Sequence, residues 1–164
     1  MDHIIKKMGL LYGLVGVFVV SGIHIYMWQI RQVDNALITL ALYMIPLILG
    51  FGAQVHSKFK LSQYITMRQG VLAFVTCVGL IFFFESIVIY LIFKIWDPSM
   101  QDVMLQAQNE RRQLLIDQGQ QVGEVIPANY SKGGFAASTA LKFLIYTIAG
   151  ILMALILKKK RPTV

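Results

Sequence analysis

Four long apolar stretches constrain the fold of this chain more than any other feature. Each is long enough to cross about 30 Å of hydrocarbon, which takes on the order of 20 helical residues. In 164 residues, 57% hydrophobic and 14% charged residues are typical of a polytopic membrane protein and unlike a soluble domain. The sequence therefore predicts an all-α, antiparallel bundle that forms one membrane domain over residues 1–164. The predicted transmembrane helices cover residues 8–30, 35–55, 70–95 and 135–157.

Basic residues are unevenly distributed between the two sides of the predicted membrane. The segments on one side carry nine basic residues and one acidic residue, whereas those on the other carry six of each, Lys142 among them. Short segments rich in Lys and Arg stay in the cytoplasm, so both termini are predicted to face it. The same charge attracts anionic lipid headgroups. Nucleic-acid binding is not indicated, because the basic residues are split among short segments beside the membrane.

Two of the segments between the predicted helices are long enough to have structure of their own. Residues 56–69 are predicted as a cytoplasmic link, lying either among lipid headgroups or in solvent. Residues 96–134 form the other segment, in which Asp97-Pro98 is typical of a helix start. Apolar residues then recur at helical spacing, so we predict an external amphipathic helix that rests on the bundle or the membrane, or docks a partner. Its candidate contact surface is Met100, Met104 and Leu114.

A short motif within the second of these segments, Asn129-Tyr130-Ser131, matches the pattern for N-linked glycosylation. Such a short pattern occurs commonly by chance, so it carries little weight.

Glu85 is a carboxylate inside the third apolar stretch, where a charge has neither water nor an obvious partner. An ionisable group at that depth is a candidate functional residue by default. His24 in the first stretch lies at a similar height, because both residues are about 22 to 24 Å from the same boundary. Tyr43 and Tyr146 are expected at comparable height, so these four residues define a candidate intramembrane polar site.

The role of this polar site has two interpretations. It is either a satisfied structural network that fixes helix packing, or a ligand pocket or proton-linked site. The favoured state of Glu85 is a protonated carboxyl that is hydrogen-bonded near His24, and the alternative is an ion pair with a charged His24.

Small residues recur on one face of each predicted transmembrane helix. Small side chains permit close backbone approach between membrane helices, so these faces are predicted to pack against each other. The predicted packing residues are Gly9, Gly13, Gly16, Gly50, Gly70, Ala73, Gly150 and Ala154.

Signatures of catalysis and of metal binding are missing from the sequence. It contains no nucleophile elbow, phosphate-binding loop or zinc-binding His pair. One His and one Glu are too few to argue for a metal site. We therefore predict no enzyme activity, no catalytic residue, no cofactor and no metal.

Three motifs suggest a family. They are residues 8–14 (Met-Gly-Leu-Leu-Tyr-Gly-Leu), residues 64–70 (Tyr-Ile-Thr-Met-Arg-Gln-Gly), and residues 95–98 (Ile-Trp-Asp-Pro) followed by a long polar helix. With these motifs the chain resembles the bacterial membrane family called domain of unknown function 4199 over nearly its whole length. The resemblance implies an inner-membrane protein of a diderm bacterium with no established activity. Members are similar in setting to small membrane partners of polyprenol-linked glycosyltransferases.

Two functions fit these observations. The first is a nonenzymatic accessory or scaffold subunit of a cell-envelope complex, in contact with a membrane protein partner or a second copy of itself. The second is a small oligomeric transporter or lipid-carrier-handling protein that uses Glu85 as a proton-sensitive group.

Overall fold

The computed structural model of the chain describes residues 2–33, 35–120, 123 and 131–159. These residues form helices, as predicted, together with one isolated bridge between Ile65 and Lys159. The first two positions of the predicted glycosylation motif, Asn129 and Tyr130, lie outside the described residues. The helices are α1 (Asp2–Ile30), α2 (Ala36–Lys60), α3 (Met67–Leu91), a π-helical turn (Ile92–Trp96), α4 (Met100–Asp117) and α5 (Lys132–Leu157).

Four of these helices are long and apolar enough to cross a membrane. They are α1, α2, α3 continued through the π-helical turn, and α5. Their outer faces carry large exposed apolar side chains, including Phe18, Leu37 and Ile156. Apolar surface of this extent is unusual in a soluble monomer and fits contact with lipid.

At the end of the bundle where α1 and α3 begin and α2 and α5 end, α1, α2 and α3 extend farther than predicted, and α5 ends at Leu157 as predicted. We call this end of the bundle the lysine-rich end. The predicted link over residues 56–69 shrinks to residues 61–66, because α2 continues to Lys60 and a reciprocal capping box of Thr66 and Gln69 starts α3. Leu61 and Ile65 are buried in the core. The expectation that this link lies in headgroups or solvent is therefore wrong for these two side chains.

The central helix is α3, which contacts α1, α2 and α5. Gly9, Gly13 and Gly16 of α1 meet successively later turns of α3, so these two helices run in the same direction. Their approach is close, because a Cβ added at Gly9 would lie 2.8 Å from the Ala73 carbonyl oxygen. Along α5 the direction is opposite, since Gly70 near the start of α3 meets Ala154 near the end of α5.

The Phe74 ring of α3 is fully buried between α2 and α5. A Cβ added at Gly50 would lie 2.5 Å from the Cε2 atom of this ring, and a Cβ at Gly150 would overlap the ring from the other side. The same junction is supported by Gln54, whose side-chain Nε2 donates to the Gly150 carbonyl oxygen at 2.8 Å. The two glycines therefore provide the space that Phe74 fills.

We expect Gly150→Ala to lower the free energy of unfolding by about 1–3 kcal/mol, the usual cost of extra volume in a packed core. The reason is overlap between the new Cβ and the Phe74 ring. Gly22→Ala is the matched control, because a Cβ at Gly22 would meet nothing within 4 Å. The measurement is thermal unfolding in detergent, monitored by circular dichroism. Equal stability of the two variants would contradict this account of the packing.

Candidate functional site

A cavity of about 250 Å³ lies in the half of the bundle away from the lysine-rich end. All five α-helices contribute to its wall, and the lining is mostly apolar and aromatic. We call it the Glu85 cavity. The lining residues with polar side-chain groups that matter here are His24, Thr39, Tyr43, Glu85, Lys142 and Tyr146.

Glu85 accepts two hydrogen bonds on the same carboxylate oxygen. The Nζ of Lys142 donates to Oε1 at 2.9 Å, and the Nε2 of His24 lies 3.2 Å from the same atom. The Glu85 side chain is only 6% exposed, whereas that of Lys142 is 37% exposed. A carboxylate with a cation at hydrogen-bond distance forms a charge-assisted bond. The geometry therefore supports an ionised Glu85 paired with Lys142, not the protonated carboxyl favoured from the sequence.

Lys142 is the partner that sequence reasoning missed. By sequence it counts among the basic residues of the outer side, but it lies inside α5 and reaches Glu85. A signal for this position exists, because Lys142 precedes Tyr146 by four residues and shares its helix face. The sequence alone does not show that α3 and α5 are in contact, so it cannot pair Lys142 with Glu85.

Tyr146 lines the cavity and donates its hydroxyl to the Tyr43 backbone carbonyl oxygen at 2.8 Å. This bond lies close to Pro46, which has no N–H to donate to the carbonyl oxygen of Leu42, four residues before it. Tyr146 thus ties α5 to α2 beside the turn that Pro46 interrupts. The Tyr43 ring is near the ion pair, since its centroid lies 5.9 Å from the Nζ of Lys142.

The structure brings His24, Tyr43, Glu85 and Tyr146 to one cavity. The four side chains do not form one continuous hydrogen-bond network, however. Among these four, His24 and Glu85 meet through their side chains, and Tyr146 meets the backbone of Tyr43. The site is therefore an ion-paired cluster on one wall of an apolar cavity.

The first turns of α4 cover the cavity at its outer end. Met100 and Met104 both line it, and Met100 is only 1% exposed. Met100 is therefore not available to an external partner, so its assignment to an external contact surface is wrong. Leu114, farther along the same helix, is 62% exposed, and its role as a contact residue stays a prediction.

Asp97 joins the start of α4 to the end of α1. Its Oδ2 accepts from the Nε1 of Trp28 at 3.3 Å and from Nη2 of Arg31 at 3.0 Å. We call these contacts the Asp97 junction. The predicted helix start at Asp97-Pro98 is displaced, because α4 begins at Met100 with Ser99 as its N-cap residue. Asp97 serves instead to fix the position of α4 over the cavity.

The hydrogen bond from the Ser99 side chain holds the pKa of Asp97 below its usual value of 3.8, assisted by Trp28 and the Arg31 guanidinium. A carboxyl whose pKa is lower in the folded protein stabilises the fold at pH values above its usual pKa. That stabilisation is lost as the pH falls through the lowered value. The Asp97 junction is therefore expected to persist through neutral and mildly acidic conditions.

Four long apolar helices around an ion-paired cavity define the class of this molecule as a multi-pass membrane protein. The model of one family, described as protein of unknown function (DUF4199), matches residues 7–159. The chain belongs to this family, as the resemblance implied. No curated protein and no solved structure matches the chain.

Tryptophan fluorescence provides a test of the Asp97 junction, because the Trp28 and Trp96 rings lie 5.8 Å apart beside it. We expect an acid transition of the wild-type emission with a midpoint below pH 3.8, since the pKa of Asp97 is lowered. The Asp97→Asn variant cannot titrate at this position and should lack that transition. A wild-type midpoint at or above pH 3.8, or an unchanged transition in Asp97→Asn, would contradict the assignment.

Proposed function

We propose that this protein is a nonenzymatic membrane protein of the bacterial envelope that binds a lipid-like molecule in the Glu85 cavity. The observation that carries this proposal is the cavity, which is mostly apolar with an ion-paired cluster on one wall. Binding sites for small molecules have this composition, in which apolar walls supply contact and a few polar groups fix orientation. Of the two functions suggested by the sequence, the handling of a lipid carrier is the one that this cavity supports.

Binding is proposed rather than catalysis because the groups that face the cavity are engaged with each other. Glu85 contacts Lys142 and His24 on one oxygen. A nucleophile is activated by an adjacent free base, by a lowered pKa or by a metal, and an amine paired with a carboxylate is a weak nucleophile because it is held in its protonated form. The cluster is better suited to orienting a head group than to transferring one.

Lipid analysis of the purified protein tests the proposal. We expect wild-type protein, extracted from bacterial membranes in mild detergent, to retain a lipid-like molecule that mass spectrometry identifies. Leu42→Trp should lose most of it, because Leu42 lines the cavity and the larger ring fills it. Leu40→Trp is the control, since Leu40 is exposed on the outer surface of the same helix. Equal retention by both variants would rule out the cavity as the binding site.

We also propose that the helices form an antiparallel bundle in the inner membrane, with both termini in the cytoplasm. The support is the excess of basic residues at the lysine-rich end, which opposes translocation of that end. In a Cys77→Ala background, Asp117→Cys should react with an impermeant thiol reagent added from outside. Lys60→Cys, at the opposite end of the bundle, should react only after the membrane is opened. The reverse pattern would overturn the orientation.

A second candidate function, that of a scaffold subunit, is favoured by the exposed apolar surface at Leu114 near the end of α4. Leu114 is 62% exposed, whereas Met100 and Met104 in the first turns of the same helix pack on the cavity. Such a face fits a membrane protein partner or a second copy, and a polyprenol-linked glycosyltransferase is the partner suggested by the family setting.

Copurification from membranes tests the scaffold function. We expect Leu114→Glu to reduce the yield of a specific partner, because a charge on the apolar face is costly to bury. Asn109→Glu adds the same charge at an exposed polar position of α4 and should leave the yield unchanged. Wild-type yield with Leu114→Glu would remove this face as the docking surface.

A further inference from the structure

We infer that the ligand of the Glu85 cavity is an uncharged single-chain amphiphile with a hydroxyl head group, which enters from the bilayer between α2 and α5. The inference rests on the proposed binding function of this cavity and specifies its ligand class. It follows from the charge balance of the site, the free hydrogen-bonding positions at Glu85, and the side on which the cavity opens.

The neutral Glu85–Lys142 pair disfavours ionised head groups. Among the described residues that line the cavity, the carboxylate of Glu85 and the amine of Lys142 lie 2.9 Å apart, so their charges cancel. His24 adds no charge when it donates to Glu85 as a neutral imidazole. A charged head group would have to break this pair or be buried without a counter-ion, and both are costly. An uncharged head group avoids both of these costs.

Hydrogen bonding favours a hydroxyl over a purely apolar chain. Both contacts to Glu85 are made with Oε1, and Oε2 has no donor within the described part of the chain. Lys142 has three N–H donors, of which one serves Glu85. A hydroxyl both donates and accepts, so it can donate to Oε2 of Glu85 and accept from Nζ of Lys142.

The exposure of the lining side chains points to an opening of the cavity between α2 and α5. Tyr43 of α2 is 48% exposed and Lys142 of α5 is 37% exposed, whereas Glu85 behind them is buried. Leu141 and Leu144 flank Lys142 on α5 and are exposed on the apolar outer surface. The mouth of the cavity is therefore surrounded by side chains suited to lipid, and an acyl or prenyl chain can extend from it into the bilayer.

The size of the cavity limits how much of the ligand lies inside. A volume of about 250 Å³ is just below the range of about 300–1,000 Å³ that is typical of sites for drug-sized ligands. The site is therefore suited to a small head group and the first carbons of one chain. A large phosphorylated head group is disfavoured by the charge balance of the site.

Three probes of equal chain length test the inference: dodecan-1-ol, dodecanoate and dodecylammonium. Their binding to the full chain is measured by native mass spectrometry after release from nanodiscs, with Leu42→Trp as the control for adsorption outside the cavity. We expect wild-type protein to bind the alcohol at least about tenfold more tightly than either charged probe.

Charge variants give the sharper result. Glu85→Gln keeps the shape of the side chain but leaves Lys142 without its counter-charge, so the preference should shift from the alcohol to dodecanoate. Lys142→Met leaves Glu85 as the unbalanced charge, so the preference should shift to dodecylammonium. Helical circular dichroism verifies the fold of both variants. If Lys142→Met does not fold, the shift in Glu85→Gln alone still decides the question.

Each outcome separates the inference from the proposed function. If wild-type protein binds all three probes equally and Leu42→Trp binds none, the cavity binds amphiphiles but the uncharged head group is overturned. If Glu85→Gln retains the preference for the alcohol, the charge-balance argument is overturned. If wild-type protein binds none of the probes more tightly than Leu42→Trp does, the proposed ligand class is overturned. The proposed binding function is overturned only if, in addition, Leu42→Trp retains as much copurifying lipid as wild-type protein.

Discussion

Close packing of glycines against α3 is the constraint on which the rest of the structure depends. Gly9, Gly13 and Gly16 bring α1 onto α3 in the half of the bundle near the lysine-rich end, and Gly50 and Gly150 bring α2 and α5 onto Phe74. Lipid tails are as apolar as the helix surfaces, so packing of this kind is a main source of helix association in a membrane. The bundle is tight where these small residues occur.

The Glu85 cavity lies where the small residues end. Beyond Gly16 the inner face of α1 carries His24, Met27 and Trp28, all of which line the cavity. The same four helices are therefore held together at one end and separated around a cavity at the other. Small side chains near the lysine-rich end allow the helices to pack closely, and larger side chains at the other end leave room for the polar site.

Much of this arrangement can be predicted from the sequence, because length, hydropathy and side-chain size are properties of single helices. The four apolar helices and the faces that pack are of this kind. Lys142 illustrates what cannot be predicted, since a lysine inside an apolar helix has the same local pattern whether it faces water or a buried carboxylate. Gln54 is a second example, because its buried bond to Gly150 depends on two helices that are distant in sequence.

The helix boundaries show a different limit of sequence reasoning. Asp97-Pro98 has the residues of a helix start, yet α4 begins at Met100. Asp97 contacts Trp28 in α1 and Arg31 in the turn between α1 and α2. The end of a helix is defined only to within one or two residues, and the N–H groups of Met100 and Gln101 already donate to the carbonyl oxygens of Asp97 and Pro98. What the local sequence does not predict is the contact of Asp97 with residues more than sixty positions earlier in the chain.

The same junction connects the two surfaces to which function is assigned. Met100 and Met104 at the start of α4 line the cavity, and Leu114 near its end is exposed. The proposed ligand site and the proposed contact residue Leu114 therefore belong to one helix, whose start is held against α1 by Asp97.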